Sequence, residues 1–489
     1  MRTLVVVSNP KDWHLELPGV EVVHARAYLS DPAYSGMRRA AVYNLCRSYG
    51  YQTLGYYVSL LAAARGHRPL PSISTLQDLK SQSVVRILSG DLESVVQRSL
   101  TPIQSDHFTL SIYFGRNLAK RHQQLALRLF NLFQAPLLRA DFVREKGEWS
   151  LRGVRAIPAS EIPAEHRDFV VQVAADYFAG RRPRRTRRQG ARYDLAILHD
   201  PTEAEPPSDA KALQRFARAA EHLGMATEFI TRDDYGRIAE FDALFIRATT
   251  NVNHYTFRFA QRAQAQGMVV MDEPDSILKC GNKVYLAELM ERHGVLTPRT
   301  LVVHRGNSDT VESELGLPCV LKQPDSSFSL GVVKVDTRVE LDAEVNRLLD
   351  RSELIVAQEF LPTDFDWRVG VVDGRALYVC RYHMARRHWQ IIKRDASGNK
   401  RGEGMADTLA VDAAPKAVVS TALKAARLIG DGLYGVDLKQ VGKQVYVIEV
   451  NDNPNLDSGI EDEILNEVLY REIMYTFLKR IEDRGRSRG

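Results

Sequence analysis

The sequence predicts a mixed α/β protein of about three domains, with a small parallel sheet in the middle of the chain and antiparallel hairpins toward its C-terminal end. Three observations lead to this prediction: the chain has 489 residues, it is 44% apolar and 26% charged, and short apolar runs alternate with helical patterns. The length corresponds to about three domains of roughly 150 residues each. The composition is typical of a globular protein and excludes a chain that is disordered throughout.

Residues 1–180 begin with an apolar strand at 4–7 and continue with helical patterns around 40–67 and 117–133. Alternation at 145–157 predicts a two-stranded hairpin around Arg152 and Gly153. We therefore expect an additional N-terminal α/β domain at 1–180, and we find no motif of recognisable chemistry in it.

The apolar run at the N-terminus is too short for an export signal, and no run of about 18 apolar residues occurs, so no membrane span is expected. Four cysteines (Cys46, Cys280, Cys319 and Cys380) are widely separated and form no CxxC pair. This pattern argues against a disulfide framework and predicts a reducing compartment, the cytoplasm.

The segment 181–192, RRPRRTRRQGAR, contains seven arginines and no acidic residue. Such a block is typical of a solvated linker, because like charges repel one another and resist compaction. The alternative is a strip that binds a polyanion such as RNA or the ribosome. In either case the segment marks a domain boundary.

After this linker, short apolar runs alternate with helices over 193–275, which predicts a small parallel sheet in a separate domain. The rest of the chain, 276–489, alternates strands with helices and contains several Asp-Gly and Gly-Lys turns. These turns predict antiparallel hairpins, so the last domain is expected to be α+β.

Asp437, Glu449 and Asn451 form the strongest candidate site in the sequence. Asp437 and Glu449 lie on two strands joined by a hairpin, and Asn451 follows Glu449 by two residues, which places both side chains on the same face. Two carboxylates and a carboxamide are ligands that suit Mg²⁺, which is commonly held by one or two carboxylates together with substrate phosphates. A polar sheet edge with unrelated acidic residues would give the same pattern.

Two lysines precede this group. Lys283 opens a helix, and Lys322 ends an apolar strand that continues into a loop of small polar residues containing Ser326, Ser327 and Gly331. An ammonium group at the end of an apolar strand must find an anion or reach solvent. A polyphosphate is a natural partner, and the loop could fold its backbone N–H groups over it. Simple solvent exposure of both lysines is the alternative.

Between these groups, an apolar strand ends in Gln358-Glu359-Phe360-Leu361 and is followed by Pro362, a pattern typical of a hinge between two lobes. The backbone of this segment could offer a donor and an acceptor to an adenine edge. Asp366 and Arg368 alternate with Trp367, which places them on one face of the next strand. A surface ion pair beside a core tryptophan would explain those two residues equally well.

In this order, Lys283, Lys322 with its loop, the segment 358–361, Asp366-x-Arg368 and Asp437…Glu449-x-Asn451 resemble the signature of the ATP-grasp superfamily, and within it the RimK-like ligases. The resemblance covers about 195–480. Residues 1–180 are similar to the additional N-terminal domain found ahead of some RimK-like modules. The resemblance implies an ATP-grasp domain at 276–489, preceded by the small parallel-sheet domain at 193–275.

The resemblance also implies a role for each matching position. Lys283 and Lys322 would contact the phosphates of ATP, the loop with Ser326, Ser327 and Gly331 would close over them, Gln358, Glu359, Phe360 and Leu361 would hold the adenine, and Asp366 would hold the ribose. Asp437, Glu449 and Asn451 would bind one or two Mg²⁺ ions, with Mn²⁺ as a substitute. Arg381, Lys322 and Arg368 would be the catalytic cations. The loop SSFSLGV has a single glycine where family loops are glycine-rich, so a stiffer closure is expected.

Three further residues are candidates for substrate binding. Arg247 ends a strand of the middle domain, where the carboxyl ends of parallel strands gather ligands, and arginine suits a carboxylate. From the resemblance, Asn453 would help to position the acceptor, and Lys393 would take the place of an amide found in some relatives.

The reaction implied is the ATP-dependent joining of a carboxylate to an amine through an acyl phosphate, with glutamate or another amino acid as a substrate and a small amine, a peptide or a protein C-terminus as the acceptor. We expect a homo-oligomer, a dimer or a tetramer. Two alternatives remain at this stage: an RNA- or ribosome-associated regulatory or modification protein that uses 181–192, and a phosphotransferase on the same fold.

Overall fold

The computed structural model describes residues 2–13, 19–37, 40–81, 85, 92–179, 191–325, 331–385, 389–394 and 400–486. They form two compact units, Met1–Gln189 with Asp233–Glu240, and Gly190–Arg232 with Phe241–Gly489. The predicted domain 276–489 falls in the second unit, as does the predicted domain 193–275 except for Asp233–Glu240, which belongs to the first. The predicted linker 181–192 lies outside the described residues except for its last two positions.

The first unit contains, in chain order, β1 (Arg2–Val7), β2 (Val20–His24), α1 (Ala25–Ser30), α2 (Pro32–Ser35), β3 (Ala40–Asn44), α3 (Leu54–Ala64), β4 (Arg68–Leu70), α4 (Ile73–Asp78), α5 (Glu93–Leu100), β5 (His107–Tyr113), α6 (Gln123–Phe133), β6 (Leu137–Glu145), β7 (Glu148–Ala156) and α7 (Arg167–Ala179). Four strands form a parallel sheet in the order β2-β1-β3-β4, and three form an antiparallel sheet in the order β5-β6-β7. The unit is therefore α/β, as predicted.

The hairpin predicted around Arg152 and Gly153 is present, but its turn was placed wrongly. The chain reverses at Lys146 and Gly147, whose φ angles are 53° and 87°. Gly153 pairs with Asp141 and Leu151 pairs with Phe142, so Arg152 is an extra residue in β7. Arg152 and Gly153 thus form a β-bulge within a strand. Glycine is common both at bulges and in turns, and the sequence pattern alone does not distinguish the two.

The second unit begins with β8 (Tyr193–His199), α8 (Ala210–His222), β9 (Met225–Ile230), β10 (Ala243–Arg247), α9 (Tyr255–Ala265), β11 (Val269–Met271) and α10 (Pro274–Cys280). The strands form a parallel sheet in the order β11-β10-β8-β9. This is the small parallel sheet that the alternating pattern predicted.

The unit continues with α11 (Lys283–Arg292), β12 (Thr300–Val303), α12 (Val311–Leu315), β13 (Cys319–Lys322), β14 (Val332–Val335), α13 (Arg338–Leu349), β15 (Ile355–Glu359), β16 (Phe365–Val372), β17 (Arg375–His383), β18 (Ile392–Arg394), β19 (Lys400–Glu403), β20 (Ala406–Leu409), α14 (Lys416–Ile429), β21 (Leu433–Val441), β22 (Gln444–Asn451) and α15 (Glu467–Arg486). An antiparallel sheet has the order β12-β15-β13-β14, a larger one, called the β21 sheet below, has the order β20-β17-β16-β21-β22, and β18 pairs with β19. Among the described residues, no helix is both long enough and apolar enough to cross a bilayer.

Both faces of the β21 sheet are packed against other elements. On one face, Val369, Val436 and Leu438 pack with α14. On the other, Tyr378 and Leu433 pack with α15 and the small parallel sheet. Because side chains alternate along a strand, each residue of β16, β17 and β21 is assigned to one of these two faces.

A β-bulge in β22 changes this assignment near the end of the strand. Asp437 pairs with Glu449, but the next residue, Leu438, pairs with Val447, so Ile448 is an extra residue. Val445 and Val447 are buried before the bulge and Val450 after it, which shifts the alternation by one residue. As a result, Glu449 and Asn451 point to the face opposite Val447, where a regular strand would have turned them into the α14 core.

Candidate functional site

A group of polar side chains collects on the face of the β21 sheet that bears Asp437. Arg368 on β16 and Glu449 on β22 are its two cross-strand neighbours. Arg368 donates from Nε to Oδ1 of Asp437 at 2.6 Å and from Nη2 to Oδ2 at 2.8 Å. Asn451 donates from Nδ2 to the same Oδ2 at 3.1 Å. The bidentate contact fixes the Asp437 carboxylate, and it makes Arg368 part of this group.

Lys283, the first residue of α11, reaches the second carboxylate of the group. Its Nζ lies 2.7 Å from Oε1 of Glu449. Burial alone would raise the pKa of Glu449, but Lys283, Lys322 and Arg368 together outweigh it and hold the pKa below its ordinary value. Glu449 is therefore a carboxylate in the folded protein, surrounded by three cationic side chains.

Lys322 lies at the end of β13, and its ammonium group is held by a chain of hydrogen bonds. Nζ donates to Oε1 of Gln358 at 2.7 Å, and Nε2 of Gln358 donates to Oγ1 of Thr300 at 3.0 Å. Burial lowers the pKa of Lys322 to about 8, with Lys283 and Lys439 acting in the same direction and Glu449 opposing them. The side chain is thus held in one orientation and only weakly solvated, which suits it to bind an anion.

Asp366, predicted to hold a ribose, is bound to a lysine that the sequence analysis did not single out. Nζ of Lys439 lies 2.5 Å from Oδ1 of Asp366 and 2.7 Å from Oγ1 of Thr363. Lys439 follows Asp437 by two residues on β21, so both point to the same face. The period-two argument used for Glu449 and Asn451 would have found Lys439 as well.

Several of these polar side chains line an apolar pocket. Its walls come from the two antiparallel sheets and α11, and its lining includes Leu286, Met290, Val356, Val447 and Val450 together with Lys283, Lys322, Gln358 and Glu449. Apolar walls with a few convergent polar groups are typical of a small-molecule site. The structure thus places both predicted lysines and one predicted metal ligand in the lining of one pocket.

The segment 358–361, predicted to hold adenine through its backbone, is only partly available for this role. The backbone N–H of Glu359 donates to the carbonyl oxygen of Arg299 at 2.9 Å. The carboxylate of Glu359 accepts hydrogen bonds from N and Nε of Arg299, both at 2.8 Å. The ring of Phe360 has the ammonium of Lys334 5.0 Å from its centroid and the ring of Trp389 6.0 Å away. The Glu359 N–H and carboxylate therefore brace β12, while Gln358 lines the pocket.

Arg381 is not brought to this group. It pairs with Trp367 across β16 and β17, and Trp367 belongs to the α14 face of the sheet, opposite Asp437 and Arg368. Its guanidinium binds Asp407, with Nη2 2.5 Å from Oδ2, and His383 lies 2.7 Å from the other oxygen of that carboxylate. Strand alternation explains the difference. Arg368 pairs with Cys380, the residue before Arg381, so the two arginines point to opposite faces of the sheet.

Arg247 also has a different environment from the one expected. Its side chain is 1% exposed. It donates to Oγ of Ser208 at 3.0 Å, to Oδ1 of Asn453 at 2.6 Å and to the carbonyl oxygens of Pro454 at 2.8 Å and Pro207. Asn453 in turn donates to the carbonyl of Ala248 at 2.7 Å. Arg247 and Asn453 thus join β10 to the segment after β22, and these polar side-chain atoms are bound to other groups of the protein.

The remaining predicted residues lie in or beside parts of the chain that are described incompletely. Ser326, Ser327 and the side chain of Lys393 lie outside the described residues. Gly331 has a φ of 73°, and its carbonyl oxygen accepts a hydrogen bond from Gln323 at 3.0 Å. It therefore ends the loop in a conformation that favours glycine.

The donor atoms of Asp437, Glu449 and Asn451 fit Mg²⁺. These atoms are hard oxygens on one face of the sheet, and they come from two carboxylates and one carboxamide. Mg²⁺ is commonly bound by one or two protein carboxylates when substrate phosphates complete its coordination. Among the described residues, no group of three or more His, Cys, Asp or Glu could hold a metal ion by itself. A metal bound here would therefore depend on ligands from a substrate.

Comparison with known proteins gives three findings. A RimK-like ATPgrasp N-terminal domain matches residues 25–173, and a RimK-like ATP-grasp domain matches residues 280–468. A probable alpha-L-glutamate ligase 1 of Hahella chejuensis is 26% identical over 262 residues, which are 53% of this chain and 83% of that protein, and a probable alpha-L-glutamate ligase of Vibrio vulnificus is 25% identical over 50% of this chain and 78% of that protein. The crystal structure of a D-alanine–D-alanine ligase from Bacillus anthracis aligns with 60% of this chain and 99% of its own at 15% identity, with a TM-score of 0.46.

Proposed function

The chain belongs to the RimK-like ATP-grasp family of ATP-dependent ligases, and from this premise we propose that it joins a carboxylic acid to an amine through an acyl phosphate made from ATP. The observation that supports the proposal most directly is that Lys283, Lys322 and Glu449 line one apolar pocket. Such a pocket offers a hydrophobic surface to a base and ammonium groups to its phosphates.

Within this proposal, the protein positions the phosphates and neutralises their charge. Lys283 and Lys322 bind phosphate oxygens, while Asp437, Glu449 and Asn451 would hold Mg²⁺. The metal, when bound, withdraws charge from the transferred phosphoryl group. Arg368 acts through Asp437, which it orients with two hydrogen bonds, and is a positioning residue. Arg381 is left out of this set because it lies on the other face of the β21 sheet.

The reaction has two steps. First, an oxygen of the substrate carboxylate bonds to the γ-phosphorus of ATP while the bond from that phosphorus to the bridging oxygen breaks, which gives an acyl phosphate and ADP. Second, the amine nitrogen bonds to the acyl carbon, the bond from that carbon to the phosphate oxygen breaks, and the proton lost by the nitrogen goes to the departing phosphate. Phosphoryl transfer of this kind requires positioning and charge stabilisation, and no covalent attachment to the protein.

For the acid we propose glutamate, or another amino acid, because relatives over half of the chain are named as probable glutamate ligases. For the acceptor we propose an amine on a small molecule, a peptide or a protein C-terminus.

The test measures ADP and phosphate release from Mg-ATP with single amino acids and pairs of them, followed by mass analysis of the product. We expect release that requires both a carboxylate and an amine, and a product joined by an amide. Glu449→Gln should abolish it, because the variant loses a charged metal ligand and the partner of Lys283. Glu291→Gln, an exposed position at the end of α11, is the matched control and should retain full activity.

Two outcomes contradict the proposal. Transfer of phosphate to a stable product, with no amide, would indicate a phosphotransferase. Wild-type activity of the Glu449→Gln variant, with its fold intact by circular dichroism, would remove the proposed metal site.

A further inference from the structure

Tyr382 on β17 lies beside the arginine that orients Asp437, and the proposed function has so far no role for it. Arg368 pairs with Cys380 across β16 and β17. Tyr382 follows Cys380 by two residues, so its side chain points to the same face of the sheet as that of Arg368. The carbon Cζ of Arg368 lies 5.0 Å from the centre of the Tyr382 ring. This distance is typical of a cation–π contact, in which a guanidinium is attracted to the face of an aromatic ring.

The far end of the Tyr382 side chain is held as well. Its hydroxyl donates a hydrogen bond to Oε1 of Glu461, which lies in the segment between β22 and α15. Glu461 is 1% exposed, and its other oxygen, Oε2, accepts a hydrogen bond from the backbone N–H of Asp457 at 2.7 Å. Both oxygens of Glu461 therefore have a partner, and the ring of Tyr382 is anchored through its hydroxyl.

This anchor does not depend on the charge of Glu461. Burial raises the pKa of Glu461 to about 7, while the hydrogen bonds from Tyr382 and Asp457 act in the opposite direction. A hydroxyl can donate to a carboxylate, and it can donate to or accept from a neutral carboxylic acid. The contact between Tyr382 and Glu461 therefore forms in both states.

The segment that carries Glu461 is fixed by contacts that do not involve Tyr382. Thr408 on β20 donates from Oγ1 to the carbonyl oxygen of Ile460 at 2.7 Å. Asp462, which is 2% exposed, accepts hydrogen bonds from the backbone N–H of Gly459 at 2.6 Å and from the hydroxyl of Tyr470 at 2.8 Å. A substitution at Tyr382 should therefore leave this segment in place.

The contacts of Tyr382 continue to the proposed metal ligands. Arg368 donates to both oxygens of Asp437, at 2.6 and 2.8 Å, and Asn451 donates to one of them at 3.1 Å. The side chains of Arg368 and Asp437 are each 17% exposed, so the protein determines most of their surroundings. A continuous series of contacts thus leads from Glu461 through the ring of Tyr382 and the guanidinium of Arg368 to Asp437.

We propose that Tyr382 is a positioning residue for the magnesium site, and that its ring holds the guanidinium of Arg368 against Asp437. The inference rests on the proposed ligase function and adds a residue that touches neither the nucleotide nor the metal. Without the ring, the guanidinium is free to turn away, and the Asp437 carboxylate keeps only its hydrogen bond from Asn451. Groups that orient a metal ligand in this way contribute to the affinity for the metal.

A purely structural role for Tyr382 predicts a different behaviour. Loss of a packing residue lowers the stability of the fold, and it weakens the binding of a nucleotide whether or not a metal is present. A positioning role weakens only the part of the affinity that depends on Mg²⁺. The reason is that Lys283 and Lys322 are proposed to bind the phosphates directly, without Asp437.

The experiment measures the affinity of the full-length protein for a non-hydrolysable ATP analogue by isothermal titration, once with excess Mg²⁺ and once with EDTA. The dissociation constant in EDTA divided by that in Mg²⁺ gives the contribution of the metal. In Tyr382→Leu we expect this ratio to fall at least about fivefold, because groups that orient a metal ligand are worth roughly 10–100-fold in metal affinity. The dissociation constant in EDTA should stay at the wild-type value.

Tyr382→Phe keeps the ring and removes only the hydroxyl, so it tests the assignment of the role to the ring. We expect its ratio to stay within about twofold of the wild type, because the cation–π contact remains. Its melting temperature should fall, because a buried oxygen of Glu461 loses its donor. Tyr475→Leu, at an exposed position on α15, is the matched control and should keep the wild-type ratio.

Circular dichroism checks that each variant is folded. Should Tyr382→Leu fail to fold, Tyr382→Met gives the same comparison with a longer side chain that fills more of the space. Both lack the ring, and both share the loss of the hydroxyl with Tyr382→Phe, so the difference between them and Tyr382→Phe measures the effect of the ring.

Three results would overturn the inference: an equal loss of affinity in Mg²⁺ and EDTA for Tyr382→Leu, a wild-type ratio for this variant, or a ratio for Tyr382→Phe that falls as far as that of Tyr382→Leu. The first would indicate a structural role, and the third would assign the effect to the hydroxyl. A wild-type protein that binds the analogue equally well in Mg²⁺ and EDTA would instead overturn the proposed metal site. Absence of binding in both would overturn the proposed function on which the inference rests.

Discussion

Lys322 holds its ammonium group where water is largely excluded, and burial lowers its pKa to about 8. A phosphate bound beside it favours the charged form, so binding requires the proton that the free protein loses as the pH rises. We expect the affinity for ATP to fall as the pH rises above neutrality through about 8. Isothermal titration with a non-hydrolysable ATP analogue at several pH values measures this dependence.

Two variants separate this effect from a general weakening of ATP binding at alkaline pH. Lys322→Met should lower the affinity at neutral pH at least about tenfold and remove the pH dependence, because no proton remains to be lost. Lys443→Met, in the exposed turn between β21 and β22, should keep the wild-type affinity and the wild-type pH profile. A wild-type affinity that does not change between neutral and alkaline pH would contradict the assignment of Lys322.

At the residue scale, sequence reasoning succeeded where side chains are related by strand period. It grouped Glu449 with Asn451 and Asp366 with Arg368, and the structure places each pair on one face. It could not relate Arg368 to Arg381, because the face of a residue depends on the register between strands. It also did not predict that Asp272, the residue after β11, is 1% exposed, since an acidic residue after a short apolar strand is usually exposed and its burial depends on distant segments.

At the element scale, a deletion tests the bulge at Ile448. Deleting Ile448 would join Val447 directly to Glu449, so the strand would become regular with Glu449 and Asn451 still on the face opposite Val447. We therefore expect the variant to keep nucleotide binding, because the pairs of Val447 with Leu438 and of Glu449 with Asp437 are both retained. Urea unfolding with and without Mg-ATP measures this binding as a gain in stability.

Ile448→Val keeps the extra residue and changes only side-chain volume, so it is the control for this deletion. It should retain nucleotide binding and lose at most about 1.5 kcal/mol. A deletion variant that gains no stability from Mg-ATP would contradict this expectation and show that the extra residue itself is needed at the site.

The sequence predicted the strands and helices of this region well and the irregularities poorly. Apolar runs marked β21 and β22 because their residues are buried on a packed sheet. The bulges at Ile448 and at Arg152 were missed, since an extra residue changes the pairing partner and leaves the local composition unaltered. The turn at Lys146 and Gly147 was displaced to Arg152 and Gly153 for the same reason.

On the scale of the whole molecule, the two compact units should respond separately to ligand. Every residue that lines the apolar pocket belongs to the second unit. A ligand that binds only the folded form of one unit stabilises that unit, by about 2.7 kcal/mol at a concentration of roughly 100 times its Kd. Scanning calorimetry of the full chain should therefore resolve a transition that shifts upward with Mg-ATP and one that does not.

Adenosine in place of ATP is the control for this measurement, since it lacks the phosphates that Lys283 and Lys322 are proposed to bind, and it should shift neither transition appreciably. A shift of both transitions, or of the other one alone, would contradict the assignment of the nucleotide to the second unit.

Composition and alternation were sufficient to predict the α/β class and the small parallel sheet, because the apolar runs of β8, β10 and β11 are buried on both faces. They were not sufficient to show that 193–275, apart from Asp233–Glu240, forms one compact unit with 276–489. That union depends on contacts between residues more than 200 positions apart, such as Arg247 with Pro454, which no local pattern contains.

The buried contacts of Arg247 have a consequence for protein engineering. Its guanidinium joins β10 to Asn453 and Pro454, and Ser208 and Asp209 bind Leu456 and Asp457 in the same stretch. A chimera that imports the parallel sheet of a relative, in order to change substrate preference, would break these links unless it also imported the stretch after β22. The exchangeable module is therefore discontinuous in sequence, and donor segments should be cut to include both pieces.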